Sequence, residues 1–198
     1  SAGSVTLEDY GYAVSCGPIV HNRDKGLTEG IRRRQKSAVP LIWGHVIKPG
    51  ACVEPASRQT QPGEGKITFV STKRSTPPIR QPSIVLQRTT SGDQAKRIRA
   101  GFVHQSWIDK YGGFYGENHV VVISPIEGQD QAVDLKTLLR LLSSCAVDRR
   151  LRLLLSSNSV NITALRALTL PDPSQLDLSG MSGLDDNAFS AAIEKAYQ

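Results

Sequence analysis

The strongest constraint on this chain is the spacing of its apolar residues, which changes period part-way along. As far as Pro125 they fall in short runs rich in β-branched residues: 12–20 (YAVSCGPIV), 38–47 (AVPLIWGHVI), 66–70 (KITFV), 83–89 (SIVLQRT) and 117–125 (ENHVVVISP). Runs of that length and composition predict strands. The connections at 48–66 and 75–82 (STPPIRQP) are loops, because their prolines cannot donate to a strand ladder. Gly26 and Gly30 punctuate a long basic loop between the first two strands. Beyond Pro125 the period becomes helical, with Leu135, Leu138, Leu139 and Leu142 on one face behind Asp134 at the helix start. Further helical segments are predicted across 148–154, at 164–168 (ALRAL) and along the stripe of Phe189, Ala192, Ile193, Ala196 and Tyr197. One more helix is predicted over 93–103 (DQAKRIRAGFV), with Thr90 or Ser91 as its cap and Ala95, Ile98 and Phe102 as its apolar face.

These segments give an α/β (α+β) fold, a curved and mostly antiparallel sheet with flanking helices. At 198 residues the chain holds one sizeable core and is too short for two ordinary enzyme domains. The expected division is a leader over 1–9, one domain over 10–173 and an acidic helical tail over 174–198. Ser1, Ala2 and Gly3 read as a cloning scar, so the chain is expected to be a piece of something longer. No apolar run reaches the roughly 18 residues of a membrane span, and no secretory signal opens the chain, so a cytoplasmic location is expected. Cys16, Cys52 and Cys145 are odd in number and lack a CxxC spacing. That argues against a disulfide framework or structural zinc and predicts three buried small hydrophobes.

The net charge of +6 is unevenly spread. Residues 172–198 carry Asp172, Asp177, Asp185, Asp186 and Glu194 against Lys195 alone, so the rest of the chain is more basic than the total indicates. The excess lies in two blocks. One holds Arg23, Lys25, Arg32, Arg33, Arg34 and Lys36; the other holds Lys66, Lys73, Arg74, Arg80, Arg88, Lys96, Arg97 and Arg99, with Asp93 as its only acid. A polyanion is the natural partner of such blocks, although a solvated basic face is an equally good account of charge taken alone. The aromatic content of 6% weighs against stacking on single strands.

Signatures of catalysis are missing from the sequence. It contains no GxxxxGK[ST] loop, GxGxxG turn, GxSxG elbow or HExxH pair. His21, His45, His104 and His119 are available as bases, but none has a recognisable nucleophile beside it. His119, just before an apolar strand, reads as a hydrogen-bonded structural histidine.

Taken in order, the segments SCGPIVHNR, PLIWGHVI, SIVLQRTT with AKRIRAGFV, GENHVVVISP, LKTLLRLLSSCAVDRRLR and SSNSVNITALRALTLPDP are distinctive. Over residues 10 to 173 the chain resembles the C-terminal target-recognition domain of adenine-N6 DNA methyltransferases from restriction-modification systems. The closing segment is also similar to type I restriction specificity subunits. One departure is Ser157-Asn158-Ser159, where the family more often has a glycine between serines. The resemblance implies a reader without a catalyst. S-adenosylmethionine and the Asn-Pro-Pro-Tyr pocket that receives the flipped adenine would belong to a separate N-terminal domain of the same parent chain, and neither that tetrapeptide nor a cofactor loop occurs here. Double-stranded DNA is the implied partner. The alternatives are a type I specificity-subunit domain or a fragment of a DNA-cleaving restriction endonuclease, for which Asp134 or Glu117 would be the first residues to test.

The chemistry of base reading selects residues independently of the family. Lys and Arg neutralise phosphates, Arg reads guanine, and Asn or Gln reads adenine. The expected groove-facing residues are His21, Asn22 and Arg23 after the first strand, Arg58 and Gln59 in the polar loop, and Lys73 and Arg74 after KITFV. Arg32, Arg33 and Arg34 are expected on the backbone, and Lys25 and Lys96 complete the set. Arg88 divides evenly between DNA contact and a structural role with core carboxylates. Trp43 and Trp107 read as core, and Asn158 and Asn161 as turn or capping residues.

Overall fold

A computed structural model describes residues 5–24, 26–31, 37–89, 94–157 and 159–197. The fold is mixed α+β with two four-stranded sheets. The first runs in the order β1 (Tyr12–Cys16), β8 (Val120–Pro125), β5 (Ser83–Gln87), β6 (Ala100–Val103), antiparallel throughout. The second runs β2 (Leu27–Ile31), β4 (Lys66–Ser71), β3 (Ala38–Ile42), β7 (Tyr115–Gly116), antiparallel except for the parallel β3–β7 pair. The helices are α1 (Gln105–Tyr111), α2 (Leu135–Leu142), α3 (Cys145–Leu154), α4 (Ile162–Ala167), α5 (Leu178–Met181) and α6 (Asp186–Lys195).

Alternation along the first sheet divides the molecule into two cores. Tyr12, Val14, Ile84, Leu86, Val121 and Ile123 point to the helical side, where they meet Leu138, Leu142, Val147, Leu151 and Leu165. Val85, Val103, Val120 and Val122 point the other way and meet Leu41, Phe69 and Trp43 of the second sheet region. The layers are therefore helices, sheet, sheet. Because β5 and β8 are covered on both faces, their runs SIVL and VVVI are continuously buried, whereas the edge strand β1 alternates buried with exposed residues. Trp43 and Trp107 lie in the second core, as the sequence predicts, and the Trp43 indole donates to Thr68 Oγ1 at 3.2 Å.

The C-terminal segment packs into the helical core. Phe189 and Ile193 are buried there, and Ser190 Oγ accepts a hydrogen bond from the Ala146 amide at 3.0 Å. Arg140 donates to the carbonyls of Met181, Ser182 and Leu184 and lies over the Phe189 ring, while Arg149 and Arg150 pair with Glu194. Glu194 thus meets two arginines of α3, and this pairing holds its carboxyl below the ordinary range, chiefly through Arg149.

Three expectations need correction. Residues 94–103 are not a helix: 94–99 are irregular and 100–103 form β6. Their backbone groups are taken elsewhere. Asp148, buried on α3, accepts from the amides of Arg97 (2.6 Å) and Ile98 (2.9 Å), while Arg152 Nη2 donates to the Ala95 carbonyl at 2.8 Å. The register of Ala95, Ile98 and Phe102 fits a helix, but long-range partners outweigh local propensity. The proposed caps Thr90 and Ser91 lie outside the described residues. Second, 27–31 within the basic loop is strand β2, whose Gly30 pairs with Ile67. Third, the cysteines are not uniformly buried. All are free thiols, with Cys16 half-buried and Cys52 and Cys145 exposed.

Candidate nucleic-acid interface

At one end of the first sheet four chain segments lie side by side. The segment leaving β1, the turn entering β8 and the residues leaving β5 are joined by backbone hydrogen bonds. The Asn118 amide donates to Ile19 O (2.8 Å), and the Arg88 amide donates to His119 O (2.8 Å). The segment before α4 joins through the Val160 amide, which donates to Arg88 O at 2.7 Å. Gly17 permits the close crossing, since a Cβ there would lie 2.1 Å from Glu117 O and 2.4 Å from Gly116 O. The 72–74 loop of the second sheet is tied in by Arg74, whose guanidinium makes a two-pronged pair with Asp24 (2.5 and 2.7 Å) and donates to Ser71 O at 3.1 Å.

Beneath this surface is a buried carboxylate. Glu117 accepts from the His119 amide through Oε2 (3.1 Å) and from His119 Nδ1 through Oε1 (2.7 Å), which requires the Nδ1-protonated form of that ring. His119 is therefore hydrogen-bonded, as expected. His21 Nδ1 lies 3.6 Å from the same Oε1, and the ring meets Trp43 edge-on at 5.4 Å between centroids. His21 thus turns inward. Its ring nitrogens are buried without a hydrogen-bond partner among the described residues, and the short Glu117–His119 contact shows which imidazole holds the carboxylate.

The other predicted site residues divide by position. Asn22 and Arg23 are exposed on a turn closed by the Arg23 amide to Val20 O (2.9 Å), and Lys73 is exposed beside Arg74. Arg23, Asp24 and Arg74 line a shallow cleft of about 410 Å³ with Pro18 and Val20. Arg88 is half-buried, and its Nη1 donates to Asn118 O at 3.4 Å. No carboxylate among the described residues pairs with it, so the expected structural partner is a carbonyl instead. Arg58 and Gln59 are exposed, but their turn is anchored by Thr60 to Ser57 and Lys66 O. That places them at the far end of β4 from Arg74, about 16 Å away at the usual rise per residue. Lys96 lies on the helical flank, its ammonium donating to Ser143 O at 2.5 Å. Lys25, Arg32, Arg33, Arg34 and Asn158 lie outside the described residues. Asn161 caps α4 by accepting from the Ala164 amide at 2.7 Å, as expected of a capping residue.

Charge at this end is one-sided. Among the described residues, the carboxylates of its hydrogen-bonded segments are both engaged: Glu117 holds His119, and Asp24 holds Arg74. The Arg74 hydrogen bonds keep the Asp24 carboxyl below its ordinary range, and the same contact raises the guanidinium. Arg23, Lys73 and Arg88 have no carboxylate partner among the described residues, and Asn22 is exposed on the same turn as Arg23. Sequence reasoning missed two features here, the partnership of Glu117 with His119 and the inward turn of His21. The ENH tripeptide was the available signal, because a carboxylate two residues before a histidine can reach back around a tight turn.

Among the described residues no helix is long and apolar enough to cross a membrane, and no three His, Cys, Asp or Glu side chains are grouped to hold a metal ion. Asp134 is occupied in capping α2, accepting from the Thr137 amide at 2.7 Å. Comparison of the sequence with protein-family models and with curated proteins finds no match.

Proposed function

We propose that this chain binds duplex DNA and reads base sequence through the end of the first sheet, as the specificity domain of an adenine-N6 DNA methyltransferase of a restriction-modification system. Methyl transfer and S-adenosylmethionine belong, in this reading, to a separate domain of the same parent chain, working in a bacterial or archaeal cytoplasm. The observation that carries it is that exposed Asn22, Arg23 and Lys73 adjoin the Asp24–Arg74 pair at the sheet end where the Arg88 segment is hydrogen-bonded in, with both described carboxylates there already paired. An amide and a guanidinium suit adenine and guanine edges, while a lysine suits phosphate. The sequence resemblance over 10–173 supports the finer reading of parent enzyme and target.

Fluorescence anisotropy with a cognate and a random duplex tests it. Lys73→Ala is expected to weaken both duplexes and to lower the salt slope by about 0.9, the value for one lost phosphate contact. Asn22→Ala or Arg23→Ala is expected to cost about 1–3 kcal/mol, confined to one base pair. Equal losses on every sequence for all three variants contradict base reading. Arg74, expected from sequence as a base reader, is committed to Asp24, so Arg74→Ala should act by releasing the 72–74 loop and weaken all sequences alike.

A further inference from the structure

Away from that sheet end, a cleft of about 560 Å³ opens between the segment preceding β6 and helix α2. Four cations line it, Lys96, Arg99, Lys136 and Arg140, against one carboxylate, Asp186. None of the four forms an ion pair among the described residues. Lys96 and Arg140 are positioned by neutral backbone carbonyls, of Ser143 and of Met181, Ser182 and Leu184, which fix their direction without cancelling their charge. Arg99 lines the cleft with its Nε buried and lacking any acceptor among the described residues. Clustered like charges repel, and a buried donor without an acceptor costs about 1–3 kcal/mol. A bound anion relieves both. The floor, which includes Ile98 and Leu139, is apolar and lowers the local dielectric, strengthening attraction for an anion.

We infer that this cleft binds phosphate groups, as a second site separate from the base-reading end. The shared chemistry is a phosphate oxygen cluster, presented either by the backbone of duplex DNA or by a free phosphate-bearing small molecule. The DNA source rests on the function proposed above, and the free-ligand source does not. Asp148 has a positioning role here, because its grip on the amides of Arg97 and Ile98 sets the segment that carries Lys96 and Arg99.

The test uses the whole chain with two probes, inorganic triphosphate by calorimetry and a random duplex by anisotropy from 50 to 200 mM salt. The variants are Arg99→Gln with Lys136→Gln, and Lys136→Glu alone, whose exposed side chain can change without disturbing the core. Each phosphate contact changes affinity by roughly 3.5-fold across that salt range, so the double variant should lose about twelvefold of the salt effect if DNA is the source. If a small molecule is the source, triphosphate binds the wild type, both variants lose it, and the DNA slope is unchanged. Triphosphate binding with no DNA binding by the wild type keeps the cleft and sinks the base-reading proposal. DNA binding that responds to Lys73→Ala but not to either cleft variant, with no triphosphate bound, overturns the cleft and leaves the base reading standing.

Discussion

Asp148 is the side chain whose loss should disturb this molecule most for its size. It is buried on α3, accepts from two consecutive amides, those of Arg97 and Ile98, and receives the Arg152 Nε at 2.7 Å. Asp148→Ala takes this acceptor from the buried Ile98 amide, costing about 1–3 kcal/mol, and from the partly buried Arg97 amide, which water reaches and which costs about 1 kcal/mol. The Arg152 pair adds little, since that arginine is more than one-third exposed and solvent screens it. The expected destabilisation is therefore about 2–4 kcal/mol. Asp148→Asn keeps one acceptor oxygen but turns an amide toward Arg152, so its loss should be smaller, about 1–2 kcal/mol. Urea unfolding followed by circular dichroism measures both, with the slope checked for constancy. A cost below about 0.5 kcal/mol for the alanine variant, at unchanged slope, refutes the argument that this carboxylate holds the 94–99 segment out of a helix.

Other outcomes follow from the same structure. Ile193→Ala should cost about 2–5 kcal/mol in thermal or urea unfolding, because the side chain is fully buried in the helical core. Gly17→Ala should displace the 117–119 turn, seen as lost amide protection at Asn118 in hydrogen exchange, since the added Cβ would overlap backbone atoms. Asp24, held by Arg74 below its ordinary value of 3.8, contributes stability present above that value and lost as pH falls through the lowered one. Asp24→Asn should therefore flatten stability against pH only below about pH 4, and should leave the slope at neutral pH alone.

The sequence was most readable where local pattern and tertiary demand agree. The strands at Tyr12–Cys16, Ser83–Gln87 and Val120–Pro125 follow from short β-branched runs, and α2 follows from leucine spacing behind the Asp134 cap. The failure at 94–103 has a specific cause: an acid some fifty residues later competes for the same amides, and no window of sequence reveals it. Helix α1 went unnoticed although His104 caps it and Gly112 ends it in the left-handed conformation, at φ 77°. Seven residues give too little periodicity to stand out, and a histidine cap is a weak signal. At the candidate interface, residue types were readable from base-recognition chemistry, but their grouping was not. The sequence does not show that Arg74 finds Asp24, that His21 turns toward Glu117, or that Arg58 lies at the far end of β4. The four-cation cleft draws on two segments about forty residues apart, Lys96 with Arg99 and Lys136 with Arg140, and only the first pair stood out as basic in the sequence.

Selection from a randomised duplex library, with sequencing of the retained fraction, bears most directly on the reading of this chain as a DNA-sequence reader. The wild type should enrich a single short motif. In a parallel selection, Arg23→Ala should enrich the same motif relaxed at one position. Retained duplexes indistinguishable from the starting pool, or an unchanged motif in the variant, contradict it.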